Sequence, residues 1–297
     1  MSRTLSEYEQ SEAMRLIQDL TLAGCQAWED WEGVTFFQGP DMSMMLSDTP
    51  HPLFNAVLVT KLIPAQVSDS IGGALRLSRN RNVPLSWHIY PGDTPPSLEE
   101  KLLRMGFKEA APSLGMLLDL DHLDAAMDSR RATGVDVVEV VDAVGFGRVV
   151  EVLAPIMGFS GLAQQAFQAA HGVSGFGREA AWRHLLAKAD NEPGGAVSLF
   201  QKGEAALLAN LAVAPQHMDR NMASALALEA LLEARKAGTR IAVASVAPGA
   251  AQLFTDLGFL EAGQIKRYIM PLEEWQDEEW REAQLSGCLG CSGCPSC

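Results

Sequence analysis

Cysteine is nearly missing from the body of this chain. Five are present in 297 residues, and only Cys25 lies outside the last ten. That distribution excludes a disulfide-stapled fold. Basic residues are also short: 23 Lys and Arg stand against 37 Asp and Glu, a net charge of −14. So acidic a chain repels polyphosphate and anionic lipid, which argues against nucleic acid or a membrane surface as partner. No apolar run approaches about 18 residues, so no membrane span is expected. The opening "MSRTLSEYEQSEAMRL" lacks the basic-then-apolar pattern of a secretory leader, and a cytoplasmic protein is expected.

What is present is ordinary globular material, 47% hydrophobic and 20% charged, long enough for two cores. The first ~45 residues read as helix, with Gly24 of "SEYEQSEAMRLIQDLTLAG" as a stop. "FNAVLVTKL" reads as strand, "VSDSIGGALRLSRNRN" as helix and "VPLSWHIY" as strand. Ser97 is placed to cap the helix "LEEKLLRMGF", and "LGMLLDL" is a further strand. Around "DSRRATG", Asp128 to Gly134, the pattern loosens into a linker.

Then the chain restarts. "VDVVEVV" reads as strand, the second half of "AVGFGRVVEVLAPIMG" as helix, and "REAAWRHLLAKA" as helix. "GGAVSLFQKG" and "EAALLANLAV" form a hairpin around "KGE". "ASALALEALLEARKAG" is helix, stopped at Gly238. "TRIAVASV" is strand, "GAAQLFTDLGF" helix and "QIKRYIMPL" strand. The alternation predicts an α/β or α+β fold with a partly parallel sheet. Two stretches also echo each other: a strand, a Pro-Gly turn at Pro91–Gly92 or Pro248–Gly249, a helix ending in Gly-Phe, then a strand. The echo predicts two related halves, 1–130 and 135–272, followed by an acidic helix and cysteine-rich tail at 273–297.

"VAPQHMDRNMASAL", Val213 to Leu226, links a strand to a helix without one glycine. The stretch from "LAVAPQHMDRNMASALALEALLEARKAG" through "TRIAVASVAPGAAQLFTDLGF" resembles the GNAT acyltransferase superfamily, and 135–272 shares its order of elements. The first half resembles the degenerate first half of tandem GNAT proteins through "PHPLFNAVL", "PLSWHIYPGDTPPSLEEKLLRMGF" and "GMLLDL". The resemblance implies two tandem GNAT-like domains, each a mixed twisted sheet flanked by helices. It also implies acetyl-CoA or another acyl donor as co-substrate.

In that family a strand splays from its neighbour, pantetheine pairs with its backbone, and a glycine-rich loop and helix N-terminus hold the pyrophosphate. Carried over, Leu211, Ala212 and Val213 offer backbone to pantetheine. Asp219, Arg220, Asn221, Met222, Ala223 and Ser224 face the pyrophosphate. Two positions depart from the pattern. Met218 stands at the family's Arg or Gln, and Asn221 at its first glycine; Ala223 fits. Asn is the replacement that best tolerates positive φ. The usual proton-donating tyrosine is Phe254, which has no proton to give.

Catalytic candidates are Tyr268, standing in for that tyrosine or packing on its strand, and His217, meeting a phosphate or lying exposed in its loop. Asn210, inside an apolar strand, is either a cleft amide or a β-bulge. His184 reads as a helix-surface residue or a base, and Trp182 and Phe176 as core or cleft wall. In the tail "GCLGCSGCPSC", Cys288, Cys291, Cys294 and Cys297 could ligate a soft metal, be modified by another enzyme, or form a bland appendage. The expected activity is acyl-CoA-dependent, mainly acetyl, N-acyl transfer to a small-molecule or peptide amine. The rival is a divergent GNAT-fold carrier for the tail, with a protein partner there. A third reading takes the acyl chain from a carrier protein.

Overall fold

The computed structural model describes residues 4–123 and 134–272. The linker expected at Asp128 to Gly134 falls mostly outside those residues. The acidic segment beyond Leu272 and the four tail cysteines lie outside them altogether.

The chain opens with α1 (Glu7–Gln26), started by a capping box. Ser6 Oγ accepts from the Glu9 N–H, and the Ser6 N–H donates to Glu9 Oε2 at 2.8 Å. Helix does not continue to residue 45. A hairpin follows, β1 (Val34–Gln38) and β2 (Met42–Ser47). Gly24 does not stop the helix. It is buried where the Trp182 indole packs on it, and its carbonyl accepts from Trp182 Nε1 at 2.9 Å. Then come β3 (Ala56–Thr60), α2 (Val67–Asn80), β4 (Leu85–Ile89), α3 (Leu98–Arg104) and β5 (Lys108–Asp119). Ser97 precedes α3 but makes no side-chain capping bond.

The second half starts with β6 (Val135–Glu139). α4 (Ala143–Met157) takes in the whole expected segment, because Asp142 Oδ1 caps the Gly145 N–H at 2.7 Å. An alanine-rich helix that its weak periodicity conceals, α5 (Gly161–Gly172), comes next. "REAAWRHLLAKA" is not helix. It supplies β7 (Trp182–Ala189), buried almost throughout and paired with β6 on one edge. The other edge pairs with β8 (Glu192–Lys202). Good helix formers are overridden by tertiary pairing, and burial on both faces erases the polar stripe that would have shown the period. β9 (Ala205–Val213), α6 (Met222–Lys236), β10 (Ile241–Val246), α7 (Ala251–Asp256) and β11 (Leu260–Met270) complete the order.

Among the described residues, all named strands join one 11-stranded mixed sheet, ordered β1-β2-β3-β4-β11-β5-β10-β9-β8-β7-β6. Two neighbouring pairs are parallel, β3 with β4 and β9 with β10; the rest are antiparallel. The halves exchange their last strands. β5, made by the first half, pairs with β10, and β11, made by the second, pairs with β4. β5 and β11 then pair with each other at the centre. The echo in sequence is therefore a pseudo-symmetric exchange in space.

Alternate strand residues feed the two faces. On one face α1, α4 and α5 cover a core that includes Ile17, Phe146, Phe167 and Val243. On the other, α2 and α3 cover Trp87 and Phe107, while α6 and α7 bury Leu226 and Phe254 in a cluster with Ala244. Among the described residues no helix is long and apolar enough to cross a membrane.

Candidate active site at the splayed strands

β9 and β10 pair only from Ala205↔Ile241 to Leu208↔Ala244. Beyond that point they diverge, although β9 still pairs with β8 and β10 with β5 as far as Val246. One backbone edge of Ala209–Val213 is thus left facing a wedge between parallel strands. The wedge has a local cause: Asn210 sits at φ 53 in a β-bulge, where the β8–β9 register shifts. Its side chain donates from Nδ2 to Ser198 Oγ at 3.1 Å, and Ser198 Oγ lies 2.9 Å from His184 Nδ1. Asn210 therefore makes the bulge, and it also lines a cavity behind the wedge.

At the open end of the wedge the chain runs through a 3-10 turn, Pro215–Arg220, into α6. Asn221 holds φ 51 and ψ 25, the left-handed shape that a glycine adopts freely. Its side chain makes no cap, so it leaves the first-turn N–H groups of Met222, Ala223 and Ser224 to other acceptors. Two glycines on β8 admit this loop. A Cβ on Gly194 would lie 2.6 Å from the His217 ring, and one on Gly195 2.9 Å from Met222 Sδ. His217 is accordingly half-buried against β8 rather than fully exposed. Met218 is exposed. Asp219 and Arg220 contribute turn backbone; their side chains are outside the described ones.

The corresponding cleft of the first half is filled by its own chain. β3 and β4 pair only at Ala56↔Ser86 and Val57↔Trp87. Past that point Thr94 folds back onto β3: its N–H donates to the Thr60 carbonyl at 3.3 Å, and its carbonyl accepts from the Leu62 N–H at 3.2 Å. Gln18 of α1 donates to the Leu58 carbonyl at 3.1 Å, and the Asp93 carboxylate accepts from Thr60 N–H. The edge of β3 is consumed. The turn into α2 also has no left-handed residue, Gln66 being at φ −90.

The cavity behind the open wedge has a volume of about 150 Å3 and is mainly apolar. Leu207–Asn210 and Ser245 form its wedge side. α1 contributes Thr21 and Cys25, and the first half adds His88, Tyr90 and Ser113. Arg267 of β11 also lines it. Burial pushes the Cys25 thiol up to about 12, so it is a neutral thiol rather than a nucleophilic thiolate. Burial, helped by the Arg267 charge, lowers His88 to about 3 and His51 to about 4. Burial alone takes His184 down to about 3. His184 is thus an interior imidazole and not a surface residue. It packs beside His171, with ring centroids 4.7 Å apart.

Tyr268 does not line this cavity. It points to the α2–α3 side, where its hydroxyl donates to Glu99 Oε2 at 2.8 Å, beside a Lys266–Glu99 ion pair at 2.7 Å. Burial and that bond keep its proton on. Phe254 is fully buried against Phe259. Trp182 lines the cavity, while Phe176 packs on Phe146. Ser245, Arg267, Tyr90 and Ser113 are cavity residues that the sequence reading did not single out. A polar residue inside "IAVASV" and a cation inside "IKRYIM" are the signals that were available.

Among the described residues, no group of three or more His, Cys, Asp or Glu could hold a metal. No protein-family profile matches the chain, and no curated protein sequence matches it. Solved structures do. A GCN5-related N-acetyltransferase from Kribbella flavida superposes with TM-score 0.65 at 16% identity, over 87% of this chain and 95% of the other. One from Sphaerobacter thermophilus gives 0.58 at 14%, over 92% and 95%. A tandem GNAT protein from the clavulanic acid biosynthesis pathway gives 0.56 at 16%, over 90% and 96%. At such identities the likeness is one of fold, and the chain has the tandem GNAT fold.

Proposed function

We propose that the protein is an acyl-CoA-dependent N-acyltransferase with one donor site, in its second half, acting on a small-molecule amine. The observation that carries this reading is the contrast between the two clefts. One parallel wedge keeps a free backbone edge beside a left-handed turn and an uncapped helix N-terminus. Its counterpart is plugged by Gln18, Asp93 and Thr94.

The residues present fit the donor. The edge of Ala209–Val213, which includes Leu211 and Ala212, offers N–H and C=O groups to the amides of a pantetheine arm. The backbone of Asp219–Ser224 offers N–H groups and a helix dipole to a pyrophosphate. Asn221 supplies the turn shape, and its side chain replaces the hydrogen of a glycine at the price of some crowding. A thioester brought through the wedge reaches the cavity lined by Asn210 and Ser245.

The neutral amine attacks the thioester carbonyl, forming the C–N bond. Collapse breaks the C–S bond, the amine loses a proton, and the departing thiolate gains one to leave as free thiol. Phe254 cannot supply that proton, and Tyr268 faces away. Ser245, the hydroxyl on the β10 side of the wedge, is our candidate donor. Acetyl-CoA should bind one per chain in calorimetry, and no heat at millimolar ligand would overturn the reading. Ser245→Ala should lower kcat by about 100-fold, at the low end for a lost general acid, with the acetyl-CoA KM within about twofold. An unchanged kcat removes Ser245 from that role.

A further inference from the structure

The wedge constrains where a donor's acyl chain can go. With the pyrophosphate at Asp219–Ser224, an arm paired along the free edge runs from Val213 back toward Ala209. Its thioester then falls beside Ala209 and Asn210. One residue further on the wedge closes, because Leu208 pairs with Ala244. A chain attached there cannot continue between the strands. It has to leave the sheet, and the cavity opens on the face covered by α1, α4 and α5, to which Leu207 and Ala209 contribute.

Over the sheet the cavity wall is apolar. Trp28, Met157, Phe167 and Trp182 line it, all buried, with half-buried Leu53 beside them. Phe167 and Trp182 are backed by His171, with ring centroids 4.4 and 5.3 Å away, so this wall is tightly packed. No carboxylate lines the cavity, and Arg267 is already engaged within the protein. The Cys25 thiol and the His88 imidazole are neutral. Such a lining favours a ligand that removes apolar surface from water. A dry cavity of about 150 Å3 lined by Leu, Ile and Phe takes up benzene, which is about six carbons. The cavity here has about that volume, 150 Å3, and so admits a group of at least that size. An acetyl group leaves most of it empty.

We infer that the preferred donor is an acyl-CoA with an apolar acyl group of about six carbons or more, lodged behind the wedge against Phe167, Trp182 and Leu53. The inference rests on the acyl-transfer reading and narrows its donor. Acetyl-CoA still binds through its pantetheine and pyrophosphate, but underfills the cavity. The first half acquires a purpose as well. With its own donor cleft plugged, it supplies Leu53, Ala56 and Leu58 to the acyl wall.

The test titrates the full-length protein with acetyl-, butyryl-, hexanoyl- and octanoyl-CoA in calorimetry, without an acceptor. Burying one methylene is worth about 0.8 kcal/mol, or roughly fourfold in affinity. Hexanoyl-CoA should therefore bind at least about tenfold tighter than acetyl-CoA. Leu53→Trp, which fills the cavity from its half-buried side, should cost hexanoyl-CoA at least about ten times more affinity than it costs acetyl-CoA. Leu53→Ala, which enlarges the cavity, should move the tightest binding to octanoyl-CoA. Equal affinities along the series overturn the inference, and so does a chain-length gain that neither variant alters. A flat series together with binding of phenethylamine would assign the cavity to the acceptor instead. Acetyl-CoA binding with a flat series sinks the inference alone. If no thioester gives heat, the acyl-transfer reading itself fails.

Discussion

The proposed donor loop turns on one residue, Asn221. Asn221 holds a left-handed backbone that costs an ordinary L-residue about 1–2 kcal/mol and asparagine less. Asn221→Gly should therefore keep the fold and tighten acetyl-CoA, up to about tenfold. Asn221→Val should lose about 1–2 kcal/mol in denaturant unfolding and weaken the donor as well. If both variants bind alike, the turn shape is irrelevant to binding. The buried histidines make a second prediction. Folding lowers His51 to about 4, His88 and His184 to about 3, and His171 well below its ordinary value, burial being the main cause each time. The unfolded chain then binds more protons below pH 6.5, so stability is complete above that pH and falls as the pH drops. Each histidine contributes a slope of up to about 1.4 kcal/mol per pH unit between about pH 6 and 4. Urea midpoints measured from pH 7 to pH 5 should fall; a flat profile contradicts the burial assigned to these rings.

At the scale of elements, the two parallel wedges have opposite fates. The first is closed by bonds from Gln18, Asp93 and Thr94 to the edge of β3. Removing two of these with Gln18→Ala and Asp93→Ala should cost about 2–4 kcal/mol of stability at roughly 1–2 per bond. The acetyl-CoA stoichiometry should stay at one, because the turn into α2 has no phosphate-holding shape. A stoichiometry of two would show that the plug alone had closed a working site. The second wedge depends on close approach. A Cβ on Gly195 meets Leu226 Cδ1 at 2.8 Å and the Ala212 carbonyl at 3.2 Å. Gly195→Ala should push the loop off β8, costing about 1–3 kcal/mol and most of the donor affinity. Unfolding and acetyl-CoA titrations of the same sample separate the two losses.

Across the whole molecule, the exchange of β5 and β11 ties each half to the other. The second half alone has no neighbour for β10 on its β5 side, and the first alone none for β4 on its β11 side. Calorimetry should show one unfolding transition rather than two. Residues 1–130 and 134–297 should be insoluble apart and copurify as a complex when coexpressed. Two independent, soluble halves would overturn this. Arg267, on an exchanged strand, reaches the cavity only through this arrangement.

The chain order and local chemistry were enough to establish most of the alternation of elements, the internal echo, the hairpin at Gly203, and a glycine-free loop in which Asn221 is the residue suited to a positive φ. Each rests on short-range signals: periodicity, turn residues, motif spacing. Besides the β1–β2 hairpin and α5, three features lay beyond them. β7 looked helical because burial on both faces removes the polar stripe. The exchange was hidden because β5 and β11 read alike, and nothing local says which neighbour each will take. The cavity draws Thr21, Ser113, Ser245 and Arg267 from separate elements, and only the closed sheet brings them to one wall. Sequence determined most of the elements and the glycine-free turn into α6. Long-range pairing, whose partners are far apart along the chain, decided which cleft stayed open and what lines it.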